Sequence, residues 1–156
     1  MNPKPYVKHK NSNFYRQGEY VPINKGKYCG KFPIHYRSGW EYKVCLWLDK
    51  NTSVEKWGIE SAIVPYLDPV TKRMKRYVID FTAIIRDRDG NLTRYYIEVK
   101  PHHETVAPVR GRKRESTYIS EALTFARNSA KWKSATEFAK SKGGKFIIIT
   151  EKEMQM

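Results

Sequence analysis

Hydrophobic and polar positions alternate strictly through one short stretch, "RYYIEVKP" at residues 94–101. A period of two sends Tyr95, Ile97 and Val99 to one side of a strand and Tyr96, Glu98 and Lys100 to the other. The same period runs through "RYVIDFTAIIR" at 76–86, with Tyr77, Ile79 and Phe81 on one side. A third stretch rich in Ile, Val and aromatics covers 57–66. Turn-like "LDPVTKR" and "RDRDGN" separate the three, so they read as antiparallel strands over 57–66, 76–86 and 92–100, joined by hairpins. In "SGWEYKVCLWLDKN" the period becomes helical. A Ser-x-x-Glu capping signature opens it, and Glu41, Val44, Cys45 and Leu48 fall on one stripe, which predicts a helix over 39–50. Two more helices are expected, a short one over 117–127 and one over 131–142 with Trp132, Ala135, Phe138 and Ala139 along a face and Gly143 and Gly144 at its end. The continuous apolar run after it, 146–150, reads as a strand buried on both faces. Residues 1–37 have no period and suit an extended basic arm without regular structure, leaving 38–156 as a single domain. The pattern sums to an α/β fold: a mixed central sheet of antiparallel hairpins plus a buried C-terminal strand, flanked by helices.

At 156 residues the chain has the size of one ordinary domain. Its formal charge of +14 is far enough from neutrality that self-repulsion has to be offset by a polyanionic partner. No basic amphipathic helix dominates, which favours nucleic acid over a membrane surface. The longest apolar run is too short to span a bilayer, and the amino terminus carries charges where a signal peptide needs a hydrophobic stretch, so the protein is expected to stay in the compartment that made it. Cys29 and Cys45 stand far apart and predict neither a zinc knuckle nor a disulfide framework.

The chemistry depends on the register of the second hairpin. A two-residue loop, Asp89-Gly90, would set Asp80 against Val99 and send Glu98 to the opposite side. A three-residue loop, Arg88-Asp89-Gly90, with Gly90 left-handed, pairs residues whose numbers sum to 178, placing Asp80 opposite Glu98 and Val78 opposite Lys100. Only this second register stacks Tyr77, Ile79 and Phe81 on Ile97 and Val99, and it is the one expected. It gathers two carboxylates and a lysine on the face that the first helix would cover, with Glu41 on that helix's inward stripe. Like charges opposed on a sheet repel, and burial makes matters worse unless a cation neutralises them. Mg2+ takes one or two carboxylates, sometimes a backbone carbonyl such as that of Val99, and several waters. Such an ion acidifies water for attack on a phosphodiester, and Lys100 would orient that water or offset phosphate charge.

"IDF" ending at Phe81, "IEVK" at 97–100 and Glu41 on the preceding helix resemble the PD-(D/E)xK nuclease superfamily. With "YRSGWE", "VEKWGIE", "VPYLDP", "RYVIDF", "EVKP" and "NSAKWKSATEFAKSKGGKFIIITE" the chain, from Tyr15 onward, is similar to the head completion nucleases of T-even-type tailed phages. Ile79 stands where many superfamily members have proline. The resemblance implies a restriction-endonuclease-like core and a metal-dependent endodeoxyribonuclease acting on double-stranded DNA ends during phage head completion. It implies Asp80 and Glu98 as metal ligands with the Val99 carbonyl, Lys100 as the catalytic lysine, and Glu41 as an accessory ligand or orienting acid. Mg2+ would be the cofactor, with Mn2+ able to substitute. Phage head or neck proteins would be partners, and the setting would be the cytoplasm of the infected host cell or the virion. A junction-resolving or transposon-end nuclease, and a non-catalytic DNA-binding head protein, stay open as alternatives.

Each residue also has a plainer reading. Glu41 completes a capping box with Ser38, and Asp80 and Glu98 could be solvated residues of an open sheet face. His102 and His103 follow the site at once, but no partner that would place them can be read, and they are not assigned to metal. The "RGRKRE" run makes Arg110, Arg112, Lys113 and Arg114 candidate phosphate contacts on a flap after the site, and Lys131 and Lys133 extend that basic footprint onto the last helix.

Overall fold

A computed structural model describes residues 17–154. In chain order the elements are β1 (Gly18–Tyr20), a 3-10 turn at Lys25–Lys27, β2 (Ile34–Tyr36), α1 (Gly39–Lys50), β3 (Val54–Leu67), β4 (Met74–Arg86), β5 (Leu92–Val99), a 3-10 turn at His102–Glu104, α2 (Glu115–Ser141) and β6 (Lys145–Ile149). The main sheet has the order β3-β4-β5-β6, antiparallel except for the parallel β5–β6 pair. This is the mixed α/β architecture expected of a restriction-endonuclease-like core. No helix among the described residues is long and apolar enough to cross a membrane.

Two hydrophobic cores lie against the sheet. The first joins Val44, Cys45 and Leu48 of α1 to Trp57, Phe81, Ala83 and Ile97. The second joins Ala135 and Ala139 of α2 to Val64, Tyr66, Tyr77, Ile79 and Tyr96. The two alanines let the helix backbone come close to three tyrosine rings. Odd-numbered residues of β4 from Tyr77 to Ala83 are all buried, as the alternation requires, but between Ile79 and Phe81 the strand passes from one core to the other. Phe81 therefore stacks on Ile97 as expected, while Tyr77 and Ile79 belong to the α2 core.

Residues 17–37 depart from the expected arm. They form the antiparallel pair β1–β2 and bury Tyr20, Tyr28, Ile34 and Tyr36 in the α1 core, Tyr20 and Tyr28 edge-on to Trp57. Asp49 at the end of α1 anchors them: its Oδ2 accepts the Tyr20 hydroxyl at 2.6 Å and the Ile23 N–H at 2.7 Å, and its Oδ1 accepts the Asn24 N–H at 3.0 Å. Strands of three residues are too short to show a period. The rest of the expected arm, 1–16, lies outside the described residues.

Two further expectations are corrected. The pair of helices over 117–127 and 131–142 is one 27-residue helix, α2; Asn128, Ser129 and Ala130 between them include neither Gly nor Pro, so nothing stops it. The strand over 146–150 is β6, one residue earlier, and it is a half-buried edge strand. Its apolar run is real, because Phe146 reaches the α2 core while Ile147 and Ile149 reach the α1 core, but among the described residues its outer edge has no neighbour in the sheet.

Candidate active site

The β4–β5 hairpin takes the three-residue loop. Gly90 has φ 83°, its N–H donates to the Asp87 carbonyl at 3.1 Å, and the Asp87 N–H donates to the Asn91 carbonyl at 2.9 Å. Pairing runs from Arg86–Leu92 to Phe81–Ile97, all summing to 178. One step short of Asp80 and Glu98 the ladder ends and the sheet forks. Beyond the fork β4 pairs with β3 alone, and β5 with β6 alone. The expected Val78–Lys100 pair does not form: Val78 pairs with Ile63, and the Lys100 N–H donates to the Ile149 carbonyl at 3.0 Å. The cause is Asp80, whose Oδ2 accepts the Val99 N–H at 2.9 Å. A side-chain carboxylate thus takes the place of a ladder carbonyl and wedges the strands apart.

Glu98 closes the fork from the other strand. It is 5% exposed, and its Oε2 accepts the Tyr77 hydroxyl at 2.5 Å. Lys100 Nζ stands 3.7 Å from Glu98 Oε1 and 4.0 Å from Glu104 Oε2. Burial, then the charge of Asp80, pushes the Glu98 carboxyl well above the usual range. Asp80 is also raised, chiefly by burial, although the Val99 N–H and Lys100 oppose the shift. Two acids in a water-poor fork cannot both ionise cheaply, so without a cation they hold a proton between them.

The fit to a hard divalent ion follows from the carboxyl oxygens gathered here. Val99 and Tyr77 each fix one oxygen of an acid, the two carboxyls lie within side-chain hydrogen-bonding range of each other, and Lys100 is the nearby charge. Oxygen donors of this kind suit Mg2+ or Mn2+. The described residues contain no group of three His, Cys, Asp or Glu side chains gathered tightly enough to hold a metal ion, and Glu41 shows why. Ser38 Oγ accepts the Glu41 N–H at 3.1 Å, and Glu41 Oε2 accepts the Arg37 N–H at 2.7 Å. Ser38 thus caps the helix, while Glu41 reaches back past the N-cap to the Arg37 N–H, which engages its Oε2. Burial first, then the charge of Asp80, still raises the Glu41 carboxyl, so it lies within electrostatic range of the fork. It reaches that point from the first turn of α1, whose apolar stripe packs against Phe81 and Ile97.

Three residues enter the site unforeseen. Alternation marks Tyr77 only as core, although a buried phenol demands a hydrogen-bond partner and so advertises a polar neighbour. Glu60 sits at the β3 bulge opposite Asp80 with φ 49°, pairs with Arg37 at 2.8 Å, and adds its charge to those of Glu41 and Asp80. Glu104 meets Lys100 from the turn after β5. The basic candidates divide. Lys131 lies 5.7 Å from the ring centroids of both Tyr66 and Tyr77, and burial, then the charge of Lys100, lowers its pKa; it belongs to the wall of the fork. Lys133 is exposed on the outer side of α2. Arg110, Arg112, Lys113 and Arg114 are exposed in the loop leading into α2, with Lys113 paired to Glu121 at 2.6 Å.

Residues 51–151, which include the whole fork, match the TnsA-like endonuclease N terminal family. The chain belongs to that family. It is also 37% identical over 142 residues to the head completion nuclease of Enterobacteria phage T4, a match covering 86% of this chain and 90% of that protein. The TnsA-like fold is thus a nuclease fold here, with its forked sheet and buried acid pair inside the matched span.

Proposed function

We propose that this nuclease is a Mg2+-dependent DNA endonuclease that acts on DNA ends during completion of a filled phage head. The observation that carries the reading is the buried Asp80–Glu98 pair beside Lys100, a cluster of excess negative charge that costs stability unless it binds a cation. In this reading Asp80 and Glu98 hold the ion through the oxygens that Val99 and Tyr77 do not engage, with the Val99 carbonyl as a third ligand and Glu41 as an accessory acid. The ion, when bound, supplies the positive charge and Lewis acidity that phosphodiester hydrolysis needs. Tyr77 and the Val99 N–H fix the two carboxylates. Lys100 orients the attacking water or offsets charge on the phosphate. Arg110, Arg112 and Arg114 carry no carboxylate partner among the described residues and serve the DNA backbone, with Lys133 on the outer face of α2. The 37% relative over nine-tenths of its length supports the head-completion setting; on this reading the protein works in the infected host cytoplasm or the virion, with head or neck proteins as partners.

The TnsA-like family match favours one second reading, cleavage at transposon ends or junctions. Purified protein incubated with linear, supercoiled and branched duplexes, in Mg2+, in Mn2+ and in EDTA, separates these. Wild type should cut plain duplex with either metal and stop in EDTA, while Asp80→Ala should bind duplex with the same salt dependence and cut nothing. Strong preference for branched DNA would move the assignment to the second reading. No cleavage by wild type with any divalent metal would leave a DNA-binding structural protein.

A further inference from the structure

Beyond the fork, β3 and β4 form a two-stranded ribbon of six consecutive pairs, from Ala62–Ile79 to Leu67–Met74, roughly 20 Å long at the usual rise. One face of the ribbon is buried under α2 through Val64, Tyr66, Tyr77 and Ile79. The other is bare. Its cross-strand pairs are Ile63–Val78, Pro65–Arg76 and Leu67–Met74, with Ile63, Val78, Leu67 and Met74 between 42% and 65% exposed. Aliphatic side chains aligned in this way across both strands of a sheet face mark a contact surface.

The charges on the ribbon say what it contacts. Lys72, Arg73 and Arg76 lie at or near its tip with no carboxylate partner among the described residues, whereas Lys75 is drawn to buried Asp68 at 2.8 Å. A two-fold contact with a second copy would set the patch against itself and press Arg76 toward its counterpart, with no acid among the ribbon's outward pairs to receive it. A polyanion suffers no such conflict. The ribbon also leads to the site along the chain: Val78 is two positions before Asp80 on β4. A two-stranded ribbon is about as wide as the major groove of duplex DNA admits.

We propose that the bare face of the β3–β4 ribbon is the seat of the substrate duplex. Lys72, Arg73 and Arg76 contact phosphates, the aliphatic pairs lie against sugar and groove surfaces, and the strand so held is delivered to Asp80 and Glu98. Contacts of this kind position DNA without reading its sequence. The proposal rests on the nuclease reading above and goes beyond it in assigning the surface.

The test uses full-length protein carrying Asp80→Ala, so that DNA survives, and follows binding of a short duplex by fluorescence anisotropy across a salt series. Arg73→Ala with Arg76→Ala should weaken binding and reduce the slope of log K against log salt by about 2, close to 0.9 for each phosphate that is no longer neutralised. Leu67→Ser with Met74→Ser should weaken binding several-fold at every salt concentration and leave the slope alone. Arg88→Ala, a cation on the distant β4–β5 turn, should change neither, which excludes a general charge effect. Melting curves confirm that these exposed substitutions leave the fold intact. An unchanged slope for the double arginine variant overturns the proposal while the nuclease reading stands. A dimeric wild type that Met74→Arg converts to monomer assigns the face to a second copy and overturns it as well. Failure of the protein without these ribbon substitutions to bind duplex at all defeats the nuclease reading and this proposal with it.

Discussion

Tyr77 does for Glu98 what the Val99 N–H does for Asp80: it pins one oxygen and leaves the other to face the fork. Groups that orient a metal ligand typically alter affinity by about 10–100-fold when removed. Tyr77→Phe keeps the ring in the α2 core and deletes only the hydroxyl, so calorimetric titration with Mn2+ should show affinity falling by about that factor, with about 1–3 kcal/mol lost from folding because a buried acceptor is left without its donor. Unchanged Mn2+ affinity would reduce Tyr77 to packing. The acid pair also has a pH signature. A carboxyl raised above its unfolded value binds more protons in the folded state, so its contribution to stability is present at low pH and is lost as pH climbs from the unfolded glutamate value, about 4.3, through the raised folded one. Asp49 and Asp68 are held below the usual range and pull the other way, but they cancel when wild type is compared with Glu98→Gln. In EDTA, wild type should lose melting temperature relative to Glu98→Gln as pH rises from about 5 to about 8, and saturating Mg2+ should reverse the order, since only the ionised pair binds it.

Asp49 is to β1, β2 and the turn between them what Asp80 is to the fork, a carboxylate standing in for missing backbone partners. Burial alone would raise its pKa; the Tyr20 hydroxyl, the Ile23 and Asn24 N–H groups and Lys27 more than offset that. Asp49→Ala leaves these donors unmade, at about 1–3 kcal/mol for each that water cannot reach, and hydrogen exchange should find the amides of β1 and β2 deprotected while those of β4 and β5 keep their rates. Equal loss throughout would mean that the segment folds only as part of one cooperative unit. The same contrast explains what could be read in advance. β4, β5 and α1 carry long single-period patterns with a turn or cap at the end, and the αL demand of the three-residue loop falls on Gly90, so their extent and register were legible. β1 and β2 are held by one distant carboxylate and by aromatic packing, neither of which leaves a local period. The fork was hidden for another reason: alternation places Asp80 and Glu98 opposite one another but cannot reveal that a side chain replaces a ladder carbonyl. The bulge that brings in Glu60 comes from β3 carrying one residue more than β4 between pairs, visible only once both strands are paired.

The chain's +14 charge acts on folding and on binding with opposite signs. Its ion pairs are few and mostly exposed: Arg86–Glu55, Lys113–Glu121 and Arg37–Glu60 all lie on the surface, where each contributes well under about 1 kcal/mol. Repulsion among the unpaired cations instead accumulates over the surface and is screened beyond about 10 Å at 0.1 M salt. Added KCl therefore relieves more repulsion than it weakens attraction. Between about 50 and about 200 mM salt the DNA-free protein should gain about 1 kcal/mol, or roughly 2–4 °C in melting temperature, while a nuclease that neutralises six or more phosphates should bind duplex about 10³-fold or more weakly over the same interval. Bound duplex supplies the counter-charge itself, so at low salt it should raise the melting temperature strongly, and by less as salt increases. A DNA-free protein that melts earlier in salt would show that the three-way pair of Asp68 with Lys75 and Arg127, which ties α2 to the β3–β4 ribbon, outweighs the repulsion. Asp68→Asn would then flatten the salt dependence, whereas on the repulsion account it should steepen the rise.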